Sequence, residues 1–310
     1  MNRNESSISF DRQNEILPGD FAFLPIEVAY DVVDSADTSK MGAYYELRNL
    51  SKIEGSWGEV ARKLSACTWQ HGSLFGSSVI FRSREYDRAV GSSDEKEISF
   101  EEARNRFICQ SFIEDDFDLE QLTAVAPKLY DNISFNAVPH TYYNVLDLIG
   151  TRFSSITWRG ADSKKPATPE LVNFLRRQLR SNYLRELRVS GVKIEDGVLS
   201  NNLVNFVAIP FFQTLFTVAC NVPFEAIESA HKAWEAPNCY VLEKREIYAY
   251  ISKETLGKIE EYFEKKFEFE NEARNSQLKV GHPEESNASI CLYVQEDRDQ
   301  YWMHMKICDV

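Results

Sequence analysis

Histidine and cysteine residues are the side chains whose spacing could support catalysis or metal binding in this chain. Cys239 lies eight residues after His231, a spacing that would permit a thiol–imidazole pair but that often arises by chance. His304 and Cys308 are four residues apart, as metal ligands on a helix would be. The alternation around them predicts a strand instead, on which both side chains share a face but lie too far apart to hold one ion. We therefore expect neither a nucleophile nor a metal site.

Carboxylates and known catalytic motifs give no better case for an enzyme. Glu114, Asp115 and Asp116 follow one another in a charged segment, which indicates a solvated turn rather than a general acid–base pair. The sequence contains no G-x-S-x-G, no H-E-x-x-H and no glycine-rich phosphate loop. We predict a non-enzymatic protein that uses no cofactor and no metal.

The charge balance excludes two classes of partner. The chain has 310 residues, 48 of them acidic and 35 basic, and a formal net charge of -13 at pH 7. Nucleic acids and anionic membrane surfaces are bound by basic patches, so we expect neither as a partner. The densest basic stretch is interpreted as a solvated helix face. It consists of Arg176, Arg177, Arg180, Arg185 and Arg188.

Three further features indicate a protein of the cytoplasm or nucleus. The six cysteines form no C-x-x-C pair, which predicts reduced core thiols. Residues 1–14 are polar and do not resemble a signal peptide. The apolar stretch 203–224 is interrupted by Asn, Gln and two Pro residues, so we interpret it as buried core rather than as a membrane span.

A repeated pattern of helix followed by strand begins near residue 115. Four segments share the order apolar-x-x-apolar-x-apolar, with threonine in the last apolar place of the fourth. They are residues 130–135, 153–158, 184–189 and 212–217, and their first positions are 23, 31 and 28 residues apart. These separations fall around the length of a leucine-rich repeat. Stacked units of this kind would form a curved parallel sheet with helices outside. The alternative is an ordinary α/β domain with irregular spacing.

Helices are predicted between these strands and on either side of them. Thr168 can cap a helix that has Pro169 in its first turn, and its apolar face is Leu171, Phe174, Leu175 and Leu179. Another helix begins at Pro223, with Phe224, Ile227 and His231 on one side. A charged amphipathic helix is predicted over 253–267, and a further helix is predicted over 100–108.

The remaining segments are predicted as strands and loops. We expect one strand over 74–81, a strand pair or bent strand over 240–251, and a hairpin of 290–294 with 301–307 that caps the array. Loops are expected over 83–93 and over the polar stretch 271–287.

The first 66 residues have a different character. Residues 1–20 are polar without hydrophobic periodicity and predict a disordered tail. Residues 21–66 predict three short helices. Their apolar positions are Ile26, Ala29, Tyr30 and Val33, then Met41, Tyr44, Leu47 and Leu50, then Trp57, Val60, Ala61 and Leu64. Residues 67–310 would form the strand–helix body.

The helical unit resembles an F-box. The resemblance rests on Leu24-Pro25-x-Glu27 at the start of the first helix, on Leu47 and Leu50 followed by Ser51, and on the final helix with Trp57. With the repeat-like body, the chain is similar to the divergent F-box families of nematodes. The resemblance implies that the unit binds the Skp1 adaptor of a cullin-RING ubiquitin ligase. The Skp1-binding residues would be Leu24, Pro25, Ile26, Glu27, Val33, Leu47, Leu50, Trp57, Val60 and Leu64.

Three functions remain open from the sequence. The first is substrate recognition in an SCF-type ubiquitin ligase, with the repeat-like body holding a protein substrate on the exposed face of its strands. The second is a repeat-type protein-binding scaffold with no ligase association, in which the N-terminal helices only cap the array. The third is an enzyme of unrecognised type.

Overall fold

The computed structural model describes the greater part of the strand–helix body. The described residues are 70–75, 78–87, 92–103, 108–114, 118–181, 183–209, 212–235, 245–269, 275–281, 288–298 and 300–308. All of them lie in the second of two compact units, Trp69–Val310. The predictions made for residues 1–66, including the F-box-like helices and all ten Skp1-binding residues, fall outside the described residues.

The described strands form one sheet. They are β1 (Gln70–Phe75), β2 (Ser78–Asp87), β3 (Ser92–Ile98), β4 (Ile108–Ile113), β5 (Leu129–Asn136), β6 (Phe153–Arg159), β7 (Glu186–Ser190), β8 (Thr214–Asn221), β9 (Arg245–Ile251), β10 (Asn275–Gly281), β11 (Ser289–Asp297) and β12 (Gln300–Cys308). Their order in the sheet is β10-β11-β12-β9-β8-β7-β6-β5-β4-β1-β2-β3.

Helices connect most of the central strands. The α-helices are α1 (Phe100–Ala103), α2 (Leu119–Val125), α3 (Pro169–Leu179), α4 (Ser200–Val207), α5 (Phe224–Glu235) and α6 (Lys253–Tyr262). Two 3-10 helices span Ala126–Lys128 and His140–Leu148. The body is therefore an α/β domain in which strands and helices alternate along the chain.

Six consecutive strands, β4 to β9, lie side by side in chain order and pair in parallel. Crossovers between parallel strands are right-handed, so a sheet that grows in one direction places successive crossover helices on the same face. Burial agrees with this arrangement, because alternate strand residues such as Leu187 and Val189 join the buried helix residues in one core. Antiparallel strand pairs lie at both ends of the sheet.

The four segments with the shared apolar pattern are confirmed as neighbouring strands. Their middle apolar positions pair directly with one another across the sheet, as do their last positions. The middle positions are Ile133, Ile156, Leu187 and Leu215, and the last positions are Phe135, Trp158, Val189 and Thr217. All eight are buried. The pattern therefore marks the side of each strand that faces the helices. Two strands begin two residues later than predicted, at Glu186 and Thr214.

The helix predicted after Thr168 is confirmed with its cap. The Thr168 hydroxyl accepts a hydrogen bond from the Leu171 backbone N–H at 3.5 Å. Pro169 is the first residue of the helix, where a backbone N–H would have no partner within the helix, so the missing N–H costs no hydrogen bond. The predicted apolar face is buried, and the Phe174 ring lies edge-on to Phe135 at 5.9 Å. The helix expected from Pro223 is also present, as α5.

The apolar stretch 203–224 is divided between α4 and β8, which confirms its interpretation as core. Among the helices of the described ranges, none is long and apolar enough to cross a membrane. The C-terminal hairpin is confirmed as β11 and β12, which pair from Ser289 with Cys308 to Asp297 with Gln300.

Several predicted boundaries are wrong. The strand expected over 74–81 is a hairpin, because Phe75 pairs with Ser78. The segment expected to be a loop over 83–93 contains the end of β2 and the start of β3. The polar segment expected to be a loop over 271–287 contains β10. All three errors concern strands at or near the ends of the sheet, where charged and polar residues are frequent because one edge is not paired.

Two predicted helix ends are wrong. The helix expected over 100–108 is present from Phe100 to Ala103, residues 104–107 lie outside the described residues, and Ile108 begins β4 instead of ending the helix. The helix expected over 253–267 ends at Tyr262, because Glu264 has a φ of +53° that interrupts the helical conformation.

The arginines interpreted as a solvated helix face have a different role in two cases. Arg176 donates to the carbonyl of Val198 at 3.1 Å, in the segment before α4. Arg177 donates to the carbonyls of Leu146 and Ile149, at the end of the preceding 3-10 helix. These two side chains satisfy helix-end and loop carbonyls of the units on either side. The interpretation as a solvated helix face is therefore wrong for these two half-buried side chains, and also for Arg188, which is exposed on strand β7. Arg180, directly after α3, is exposed as expected.

Candidate functional site

The side of the sheet opposite the buried core carries exposed and half-buried side chains, and we call it the open face. Strand pairing places one row of these side chains across eight neighbouring strands. The row consists of Tyr293, His304, Tyr248, Phe216, Arg188, Thr157, Ser134 and Phe112. Its two ends are exposed, with Phe112 at 47% and Tyr293 at 41% of full exposure.

Six rings crowd one half of the open face, and we call them the aromatic patch. They are Phe216 on β8, Tyr248 and Tyr250 on β9, Tyr293 on β11, and Trp302 and His304 on β12. Tyr248 and His304 are stacked with centroids 4.0 Å apart and an interplanar angle of 13°. Tyr293 continues the stack at 5.7 Å from His304. Trp302 lies edge-on to Tyr250 at 5.3 Å and to Phe216 at 5.9 Å.

Polar groups at the borders of the aromatic patch have partners. The Glu246 carboxylate lies 3.4 Å from the His304 Nε2 atom, and Glu186 lies 4.0 Å from Arg188. The Tyr250 hydroxyl donates to Asp297 at 3.0 Å. Burial and this bond to Asp297 both raise the pKa of Tyr250, so the hydroxyl stays protonated at neutral pH. These polar groups therefore interact with one another at the borders of the patch.

A groove of about 700 Å³ lies on the open face beside the sheet edge at β10. Six of its lining side chains form two rows of three on three strands, because Gln277 pairs with Tyr293 and His304, and Asn275 pairs with Gln295 and Trp302. The two rows together contain three rings and three carboxamides, and Lys266 and Glu268 also line the groove. A volume of this size is within the range of sites that bind small molecules or peptide segments.

A second groove, of about 780 Å³, lies at the carboxyl ends of β8 and β9. Asn221 donates its backbone N–H and its side-chain amide to the two oxygens of Asp196, at 2.9 and 2.8 Å. Cys220 also lines this groove, and burial raises the pKa of its thiol to about 11. The thiol is therefore protonated at neutral pH, and it is not a nucleophile there.

The catalytic candidates of the sequence are not brought together in the described part of the chain. His231 is buried on α5, with its Nδ1 atom 3.2 Å from the Tyr262 hydroxyl and 3.3 Å from a Glu235 oxygen, whereas Cys239 lies outside the described residues. His304 and Cys308 lie on one strand, β12, as predicted. Within the described ranges, no three His, Cys, Asp or Glu residues are grouped as metal ligands would be. Glu114 accepts a hydrogen bond from Asn136, and Asp115 and Asp116 are not described.

The aromatic patch was not identified from the sequence. From the sequence we expected a protein partner on the exposed face of the strands, whereas Arg185 and Arg188 were interpreted as part of a solvated helix face. Arg188 lies on the open face, whereas Arg185 precedes β7 and its backbone bonds to Ser154 and Gln213. The alternation of Glu246, Tyr248 and Tyr250 is the signal that could have located part of the patch.

Comparisons with protein-family models, with curated proteins and with solved structures found no match to this chain.

Proposed function

We propose that this chain is a substrate-recognition adaptor of an SCF-type ubiquitin ligase. Its N-terminal helices would bind Skp1, and the open face of its sheet would bind a protein substrate. The chain itself would perform no chemistry and use no cofactor, since the ligase transfers the ubiquitin. Such a protein would work in the cytoplasm or nucleus.

The aromatic patch is the observation that carries the substrate-binding part of this proposal. Trp, Tyr and Arg are the residues most enriched at the energetic centres of protein interfaces, and this half of the open face combines Trp302, Tyr248 and Arg188. The side chains stand on paired strands, so they are held in place before a partner arrives. Little conformational entropy is then lost on binding.

The repeated unit supports the same proposal at the level of the fold. We propose that the body is an irregular strand–helix solenoid of the leucine-rich-repeat type, with the C-terminal hairpin as a β cap. Parallel strands added one after another would generate a wide surface from small units. Proteins of this architecture use their extended faces to bind partners.

Skp1 binding is proposed from the resemblance of residues 21–66 to an F-box. If these helices only cap the body, the chain would instead be a protein-binding scaffold without ligase association. The two functions share the open face and differ in the N-terminal unit, so a substitution in that unit separates them.

We predict that Leu24→Ala/Pro25→Ala abolishes capture of purified Skp1 by the full-length chain. Both residues open the first predicted helix, and Leu24 would bury its side chain against Skp1. The measurement is a pull-down in which the thermal unfolding of each variant is recorded in parallel.

Trp302→Ala is the matched control for this pull-down, because it alters the open face and should leave Skp1 binding unchanged. Failure of the folded wild-type chain to bind Skp1 would reject the ligase adaptor and leave the scaffold.

A further inference from the structure

The groove beside β10 has the composition of a peptide-binding site. Its two rows of three side chains are Gln277, Tyr293 and His304, and Asn275, Gln295 and Trp302. Lys266 and Glu268 also line the groove, and the His304 Nε2 atom lies 3.4 Å from the Glu246 carboxylate. Rings can stack on apolar side chains, while carboxamides and the Trp302 indole N–H can bond to backbone carbonyls. The rings and carboxamides of the lining therefore suit a segment whose own backbone groups are unpaired.

The spacing of the strands selects among the possible segments. Neighbouring strands lie about 4.8 Å apart, so every second strand is about 9.6 Å away. A polyproline II helix repeats every three residues, or about 9.3 Å, and it has no internal hydrogen bonds. An α-helix repeats every 5.4 Å and an extended strand presents a side chain to one side every 6.7 Å or so. Of these, only the polyproline II repeat stays in register with the rows across several strands.

The size of the surface also favours a short segment. From Gln277 on β10 to Phe216 on β8, the row crosses four strand intervals, or about 19 Å, which is the length of about six residues of polyproline II. The two rows contain six side chains, whereas a stable complex of two folded surfaces buries about 800 Å² and about 20–30 residues on each side. The rings and amides are therefore too few to hold a second copy of this chain by themselves.

We infer that the groove and the aromatic patch beside it bind a proline-rich segment of the partner protein in the polyproline II conformation, laid across β10, β11, β12, β9 and β8. This inference rests on the proposed function of the open face in protein binding. The Tyr293–His304–Tyr248 stack would support the proline rings. The Trp302 indole and the carboxamides of Gln277, Asn275 and Gln295 would donate to the carbonyls of the segment.

The test is a direct titration of the full-length chain with a fluorescein-labelled oligoproline of about ten residues. A Gly-Ser peptide of equal length and an alanine-rich helical peptide are the comparison probes. We expect saturable binding of the oligoproline alone. Trp302→Ala should weaken it about 10-fold or more, and Trp302→Phe, which keeps a ring but loses the N–H, should weaken it less. Phe112→Ala is the matched control, since Phe112 is exposed in the same row but seven strands from Tyr293, and it should change the affinity less than twofold.

The inference would be overturned if the three peptides bind equally or if the helical peptide binds more tightly. Equal losses of oligoproline affinity in Trp302→Ala and Phe112→Ala would also overturn it. The inference would also be overturned if the chain self-associates through the groove and this self-association is lost in Trp302→Phe. If oligoproline fails to bind while a protein partner still depends on Trp302, only this inference is rejected. If oligoproline binds but Skp1 does not, the inference stands and the ligase function is rejected.

Discussion

Gly160→Ala is expected to destabilise the body by about 3 kcal/mol or to prevent its folding. A Cβ atom at Gly160 would lie 2.0 Å from the backbone oxygen of Gly191, and one at Gly191 would lie 1.9 Å from the oxygen of Gly160. The two residues follow β6 and β7, and Gly160 donates its N–H to Ser190 at 2.8 Å. Because both clashing groups are backbone, no side-chain rotation can relieve the contact. Gly191 also has a φ of +66°, which favours glycine.

Urea denaturation of Gly160→Ala and of a control glycine variant measures this effect. Gly257 lies in α6 with no atom within 4 Å of its would-be Cβ, so Gly257→Ala should stabilise the body by about 0.5–1 kcal/mol. The two alanine substitutions should therefore act in opposite directions. A change at Gly160 no larger than about 0.5 kcal/mol would show that the loops after β6 and β7 do not approach closely.

Phe174→Ala should cost about 3–5 kcal/mol of unfolding free energy. The Phe174 side chain is fully buried on α3, and its ring contacts Phe135, which in turn packs against Trp158 at 4.9 Å. Removing the ring opens a cavity between the helix layer and two strands that are themselves held by neighbours, so the site has little freedom to collapse.

Chemical denaturation monitored by circular dichroism reports this loss, and Asn173→Ala is the matched control. Asn173 is the preceding residue of the same helix, but it is exposed, so its substitution should change the unfolding free energy by less than about 0.5 kcal/mol. Equal effects of the two substitutions would contradict the placement of Phe174 between the helix and the sheet.

The parallel part of the fold was predictable because burial repeats in the sequence. Each of the four confirmed strands buries the same positions of one short pattern, and the cap of α3 is formed by side chains whose preference is local. The strands at the ends of the sheet lacked that signal. In β10, Asn275, Gln277 and Lys279 are exposed, so the segment resembles a loop in composition until its pairing with β11 is known.

The aromatic patch was not predictable for a different reason. Tyr248 and His304 stack only because β9 and β12 become neighbours, although α6, β10 and β11 lie between them in the chain. Antiparallel register then decides which residues of the two strands face each other. The contacts of Arg176 and Arg177 were not predictable for the same reason. Their charge is visible in the sequence, but the carbonyls that they bind belong to neighbouring units.

Site-specific photocrosslinking tests most directly whether the open face binds a protein partner. A crosslinkable amino acid would replace Tyr293, exposed on the open face, or Asn205, exposed on α4 in the helix layer. We predict that one protein from cell extract is crosslinked at position 293 and not at 205. Excess unlabelled wild-type chain should suppress the product, and a Trp302→Ala chain should not. Crosslinking of that protein at position 205 alone, or competition by both chains alike, would contradict the assignment of partner binding to the open face.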